Sequence, residues 1–304
     1  MRFHLILNPS SRSGRGQRLW DYWFRGLKKA GVVFSSYETQ GTGDACREVR
    51  KIVGSCVVVA VGGDGTINEV LDGVLQSGNR ALSMGVLYAG TSPDFCRFHG
   101  IPTDTKKALE KLIQAAVTPV DVCRIHFRNE DGEERVGHFA CSFNVGMGAG
   151  IARMANSIRR YLGDVGGTGT AVVKNLLCHK KIAMKVTVDG VDHVLRDVNN
   201  LTVAKNPYIA SGLKLNLPLT PTDGTAWVFA VYGKSPLGML RLLPRYYTGS
   251  VTSTEGVFLK KGKQMNIVSD RTHEIEFDGD PRGRLPVTID VLPKSLNLLG
   301  CSHG

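Results

Sequence analysis

The sequence predicts two domains: an α/β domain with a parallel sheet, followed by an antiparallel β domain. Three observations lead there. The chain has 304 residues, more than one ordinary domain holds and fewer than three need. Up to about residue 120, strand-like and helix-like segments alternate, the βαβα order of a parallel sheet covered by helices. Beyond Pro119, strand-like segments follow one another with few helices between them. The boundary belongs near residues 118–123, giving domains 1–120 and 121–293.

Each element has a local reason. Arg2–Leu7 is a short apolar strand, stopped by Asn8-Pro9 because proline cannot continue a central strand. Gln17–Ala30 sets Leu19, Trp20, Trp23, Phe24 and Leu27 on one helical face and ends at Gly31. Val32–Tyr37 reads as a strand and Asp44–Val53 as a helix. Val57–Val61 is β-branched except for Ala60, the mark of a strand buried on both faces. Gly62–Thr66 reads as a loop, Ile67–Leu75 as a helix and Ser83–Leu87 as a strand. Thr105–Ala116 is a helix that Thr103 or Asp104 is placed to cap. In the second half, strands are expected at Asp121–Arg128, Ile182–Val188, Asn200–Ala204, Ala226–Val231, Gly256–Leu259, Met265–Val268, His273–Phe277 and Val287–Val291. Helices are expected at Arg153–Arg160, Thr170–His179 and Leu237–Tyr247.

Composition excludes several classes. Hydrophobic residues at 42% and charged residues at 21% suit a globular chain with a sizeable core. The longest apolar stretches, Cys56–Val61 and Ala226–Tyr232, fall far below the ~20 residues of a spanning helix. The first residues, MRFHLILNPSSRSG, have neither the apolar run nor the small-residue cleavage site of a signal peptide. Seven cysteines with no C-x-x-C pair suggest neither a disulfide framework nor a zinc site, so a cytoplasmic protein is expected. The net charge of +11 is concentrated in two stretches. Residues 151–186 carry seven basic groups against Asp164, and residues 234–263 carry six against Glu255. Such clusters suit an anionic membrane surface, nucleic acid, or simply a solvated face.

The strongest chemical signal runs from Val57 to Val70, where a buried strand enters Gly62-Gly63-Asp64-Gly65-Thr66 and then a helix. Glycines let the backbone turn sharply and present bare N–H groups, and the helix N-terminus adds partial positive charge, both favourable to phosphate. A tight β–α turn with a capping aspartate is the plainer alternative. The spacing is neither that of a P-loop nor of a dinucleotide fingerprint. Two other loops, Asn8–Gly16 and Gly90–Phe95, also follow strands, and in a parallel sheet they reach the same edge. Asp278 and Asp280 bracket Gly279, so a tight turn can present both carboxylates together, although an ordinary Asp-Gly turn looks the same.

With these blocks in view, the sequence resembles the bacterial lipid kinases of the diacylglycerol kinase catalytic-domain family, related to sphingosine and ceramide kinases. The resemblance spans nearly the whole chain. It rests on Asn8-Pro9, Thr39 with Gly43-Asp44-Ala45, Gly62–Val70, Gly90-Thr91 with Asp94-Phe95, Phe143-Asn144-Val145, Asp223-Gly224 and Asp278-Gly279-Asp280-Pro281. Gly62–Thr66 alone is similar to a block of NAD kinases, whereas Ile67-Asn68-Glu69-Val70 and the late Asp278-Gly279 point to the lipid branch. The resemblance implies a nucleotide-binding α/β domain, a C-terminal β-sandwich and an active site in the cleft, with residues 294–304 returning to the first domain. It implies ATP held by Asn8, Thr39, Gly62, Gly63, Asp64, Gly65, Thr66, Ile67, Asn68 and Thr91, together with Mg2+. It also implies Asp278 as the base, with Asp64 the alternative and Asp280 beside it. A structural divalent ion is implied at Asp223 and at the carbonyls of Thr220 and Thr225, hard oxygen ligands suited to Mg2+ or Ca2+.

The chain departs from that family where Tyr88, Pro93 and Asp280 stand in place of proline, asparagine and glutamate. The expected activity is ATP-dependent phosphorylation of a diacylglycerol-like or sphingoid lipid, by a cytoplasmic protein attached peripherally to an anionic membrane. The Arg159/Arg160 and Lys180/Lys181 clusters are expected to promote that attachment, and no nucleic-acid partner is expected. The rivals are an NAD kinase and a non-catalytic nucleotide- or lipid-binding relative. Oligomeric state stays open, with a homodimer among the alternatives.

Overall fold

The structure, a computed structural model, describes residues 2–147, 182–209 and 213–301. Its contacts divide the chain into two units. One comprises Met1–Val122, Pro221–Asp223 and Leu292–Gly304, and the other Cys123–Thr220 and Gly224–Val291.

The first unit is built on parallel strands β1 (Arg2–Leu7), β2 (Val33–Glu38), β3 (Cys56–Gly62) and β4 (Leu82–Tyr88), in the order β4-β3-β1-β2. Every residue of β3 is buried, as its β-branched run requires. Leu7 pairs with Glu38 and with Val61, and Gly62 with Tyr88, so all four strands end on one edge. Helix α1 (Trp20–Lys29) buries Trp20, Trp23 and Leu27, spaced i, i+3, i+7, against Phe3, Leu5 and Val59. The stretch before it, Ser11–Leu19, is a 3-10 helix rather than the start of α1, because Gly14 and Gly16 are poor α-helix formers. Helix α2 (Asp44–Val49) ends four residues sooner than its pattern suggests, five residues ahead of the left-handed Gly54. Helix α3 (Asp64–Gln76) begins at Asp64, inside the segment expected to be a loop. Helix α4 (Asp94–His99) has no counterpart in the sequence reading. Helix α5 (Thr105–Gln114) is capped by Asp104, whose carboxylate accepts the Lys107 N–H at 2.9 Å.

Strand β5 (Val117–Arg128) carries the chain into the second unit, which continues through β6 (Glu134–Phe139), β7 (Ser142–Gly146), β8 (Ile182–Val188) and β9 (Val191–Ala204). After the short pair β10 (Tyr208–Ile209) and β11 (Leu213–Lys214) come β12 (Ala226–Tyr232), β13 (Val257–Gly262), β14 (Gln264–Ser269), β15 (Glu274–Phe277) and β16 (Asp280–Leu299). Among the described residues the pairs β5-β6, β7-β9, β7-β15, β8-β9, β8-β14, β9-β12, β12-β13, β14-β16 and β15-β16 are antiparallel, and the strands close a circuit β9-β7-β15-β16-β14-β8 around one apolar core. Two long strands make this closure possible. The first half of β9 pairs with β8 and its second half with β7 and β12, with Asp197 in the left-handed region at the bend. The end of β16 lies in the first unit, where Leu298 pairs in parallel with Met84 of β4. Helix α6 (Pro236–Thr248), capped by Ser235, buries Met239, Leu242 and Tyr246 beside Phe229 and Leu215. Among the described residues no helix is long and apolar enough to cross a membrane. The helices expected at Arg153–Arg160 and Thr170–His179, and the clusters Arg159/Arg160 and Lys180/Lys181, lie outside the described residues.

Candidate active site

The loops nominated by the sequence leave from the common strand edge of the first unit. Asn8 follows β1, and its side-chain amide donates to the Thr66 hydroxyl at 2.8 Å, tying that loop to the first turn of α3. Thr39 follows β2 and donates to the Leu7 carbonyl from both its N–H (2.9 Å) and its hydroxyl (3.3 Å). Thr91 is exposed directly after Gly90. Gly63 and Gly90 meet backbone to backbone: a Cβ on Gly90 would lie 2.6 Å from Gly63 Cα and 2.6 Å from the Tyr88 hydroxyl. A Cβ on Gly62 would lie 2.3 Å from the Thr66 hydroxyl oxygen. These glycines are therefore required by close approach rather than by an unusual φ. Within the block, Gly63, Asp64 and Gly65 are half-buried, whereas Thr66, Ile67 and Asn68 are buried in α3. Ile67 serves the helix, its N–H donating to the Gly63 carbonyl at 3.0 Å and its side chain lying in the core. Gly63, the N-cap residue of this 13-residue helix, has no side chain to cap it. Its dipole and the adjoining loop suit an anion such as a nucleotide phosphate.

Asp64 is bound on both oxygens. The Tyr88 hydroxyl donates to Oδ2 at 3.0 Å, and the Phe95 N–H of α4 approaches Oδ1 at 3.5 Å. Burial, reinforced by the Asp64 charge, pushes the Tyr88 phenol far above its ordinary range, so it stays a donor. The Tyr88 departure thus places a hydroxyl on Asp64, whose other oxygen faces the start of α4. Pro93, the second departure, takes the N-cap position of α4, where the missing N–H breaks no helical bond.

In the second unit, Asp278 and Gly279 form the two-residue turn between β15 and β16, with φ of 48° and 88° and Phe277 opposite Asp280. Two positive φ values in succession are what a type I′ hairpin turn requires. The Asp278 side chain does more than make the turn. Its carboxylate accepts N–H groups from Ala140 (3.0 Å), Cys141 (2.9 Å) and Ser142 (3.0 Å). Those donors lie more than a hundred residues upstream, so the carboxylate is oriented by tertiary structure. Asp280 is half-buried and accepts from Arg282 at 3.5 Å, and Arg282 lies over the Phe277 ring.

Beneath this turn lies a residue that the sequence reading missed. Glu276 is buried, with one oxygen accepting the Gly279 N–H at 2.6 Å and the other the Asn144 amide at 2.8 Å. Asn144 in turn accepts from the Thr202 hydroxyl at 2.6 Å, and Thr202 accepts from Asn200 at 3.1 Å. Burial pushes the Glu276 carboxyl up to about 8, with Asp278 and Asp280 adding to the rise against two favourable hydrogen bonds. Glu276 stands two residues before the Asp278-Gly279 pair on a strand, Glu274-Ile275-Glu276-Phe277, that carries a second glutamate, so no local signal sets it apart.

Around the residues implied as metal ligands, Lys205 is buried, and its ammonium donates to the carbonyls of Thr220 and Thr225, both at 3.1 Å. Asp223 belongs by its contacts to the first unit.

Comparison with known proteins adds the following. Residues 2–125 match the diacylglycerol kinase catalytic domain, and residues 141–300 match the YegS C-terminal NAD kinase beta sandwich-like domain. A protein named diacylglycerol kinase from Staphylococcus saprophyticus is 26% identical over 289 residues, covering 94% of this chain and 90% of that one. One of the same name from Staphylococcus aureus strain MRSA252 is 26% identical over 303 residues, covering 98% and 91%. Among solved structures, a diacylglycerol kinase of Bacillus anthracis str. Sterne superposes with a TM-score of 0.71 at 20% identity, covering 98% and 96%. Yeast NADH kinase complexed with NADH superposes with a TM-score of 0.52 at 11% identity, covering 98% and 82%, which shows a shared fold.

Proposed function

Since this chain belongs to the diacylglycerol kinase catalytic-domain family, a family of ATP-using kinases, we propose that it transfers the γ-phosphoryl group of ATP to the hydroxyl of a diacylglycerol-like or sphingoid lipid. One observation carries the reading most: Gly62, Gly63 and Gly90 keep the approach to α3 free of side chains, on the edge where Asn8, Thr39 and Thr91 also stand. In this reading the N–H groups of that loop and the head of α3 bind the nucleotide phosphates. Mg2+ bound with ATP supplies charge neutralisation at the transferred group. Asp278 takes the proton of the lipid hydroxyl; its three N–H donors fix its direction before substrate arrives. Glu276 orients the turn by holding the Gly279 N–H, and acts through Asp278 rather than on the substrate.

The lipid is met, in this proposal, at an anionic membrane surface. Leu237, Leu240, Pro244 and Tyr247 stand exposed along one stripe of α6, with Arg241 and Arg245 exposed beside it. An apolar stripe flanked by cations suits insertion at the level of anionic headgroups. The test is incubation with γ-labelled ATP and Mg2+, with diacylglycerol or sphingoid bases in anionic vesicles, and with NAD in a parallel reaction. Label in the lipid phase is expected. Label in NADP alone, or no transfer, would refute the proposal.

A further inference from the structure

Lys205 ends the buried run Leu201–Ala204 on β9 and is itself 1% exposed. Lysine is almost never fully buried unless paired, because removing an ammonium from water costs several kcal/mol. Here two of the partners are backbone carbonyls. Nζ donates to Thr220 O and to Thr225 O at 3.1 Å each, spanning the loop that leads into β12. Those are the two carbonyls that the family resemblance assigns to a structural divalent ion. Each carbonyl oxygen has two lone pairs, but an inner-sphere Mg2+ or Ca2+ closing to roughly 2.0–2.6 Å on both oxygens would sit against the tethered ammonium, and the two cations would repel. The residues present therefore do not fit the ion.

We propose that the Lys205 ammonium is the resident cation of this loop, built into the chain in place of a divalent metal, and that it closes the position to Mg2+ and Ca2+. The same residue also reaches the candidate active site. The Lys205 N–H donates to the Cys141 carbonyl at 2.9 Å, and the Cys141 N–H donates to Asp278 Oδ1 at 2.9 Å. The loop, the ammonium and the Asp278 turn thus hang on one peptide segment, which makes Lys205 a positioning residue whose own charge replaces one that would otherwise have to be bound from solution. The inference stands whichever substrate the protein phosphorylates.

The experiment uses the full chain without nucleotide, so that metal bound with ATP does not enter. Elemental analysis after gel filtration is expected to show no stoichiometric Mg2+ or Ca2+, and the thermal midpoint is expected to be the same in EDTA as in either ion. Lys205→Met, which keeps the stem and removes the charge, is expected to lower the midpoint by roughly 5 °C or more by taking the shared donor from the Thr220 and Thr225 carbonyls. A stoichiometric ion in the wild-type protein, a midpoint that falls in EDTA, or a Lys205→Met variant as stable as wild type would each overturn the proposal. Should the variant not fold, the two wild-type measurements still decide.

Discussion

Asp64 and Asp278, the two carboxylates nominated as bases, are held in opposite ways. Asp64 sits at the first turn of a helix and is fastened by a side chain, the Tyr88 phenol, and one long contact from Phe95 N–H. Asp278 sits in a left-handed hairpin turn and is fastened by three backbone N–H groups from a distant segment. Side-chain tethers of the first kind draw loops together and can be exchanged during evolution. Backbone tethers of the second kind hold a charge in one direction whatever the neighbouring side chains become. The contrast teaches that Asp64 organises the glycine loop, whereas Asp278 is the preorganised carboxylate.

Three variants break or sharpen this contrast. Gly90→Ala puts a methyl group into both Gly63 Cα and the Tyr88 hydroxyl, so it displaces the glycine loop and the Asp64 tether together. Turnover is expected to fall on the order of 100-fold, with weaker ATP binding, read by steady-state kinetics and nucleotide titration. Glu276→Gln acts on the other side, under the Asp278 turn. With its folded pKa raised to about 8 from an ordinary 4.5, Glu276 keeps its proton in the fold while the unfolded chain ionises. Its contribution is fully present below about 4.5 and is lost as the pH rises through about 8. Stability should therefore decline across that window by on the order of a few kcal/mol, and denaturant unfolding of Glu276→Gln should show a flatter slope. Tyr88→Phe removes one hydrogen bond from Asp64 and is expected to cost about 1 kcal/mol in the same unfolding measurement, with little change in pH dependence.

Much of the first unit is legible in the sequence because its signals are local. The β-branched run to Val61, the Trp20–Trp23–Leu27 spacing and the Asp104 cap each act within a few residues of themselves. The start of α3 was misjudged because three glycines within four residues weigh against a helix, while Gly63 as N-cap permits one. Helix α4 hid behind its six-residue length, although Pro93 before it and the left-handed Gly100 after it are start and stop signals. In the second unit β9 and β16 exceed their expected spans, because a strand shared between layers changes its buried face midway and no single alternation describes it. Lys205 and Glu276 were missed for a related reason. Nothing near them in sequence announces that a charge will be buried: apart from Gly279, three positions beyond Glu276, the side-chain partners named above lie 15 to 132 positions away.

The most direct measurement compares Asp278→Asn with Asp64→Asn in paired assays of ATP binding and lipid phosphorylation. Asp278→Asn is expected to bind ATP as the wild-type protein does and to lose phosphorylation by roughly 100-fold or more, whereas Asp64→Asn should weaken nucleotide binding itself. Asp278→Asn with full turnover, or with turnover lost only because ATP no longer binds, would contradict the assignment.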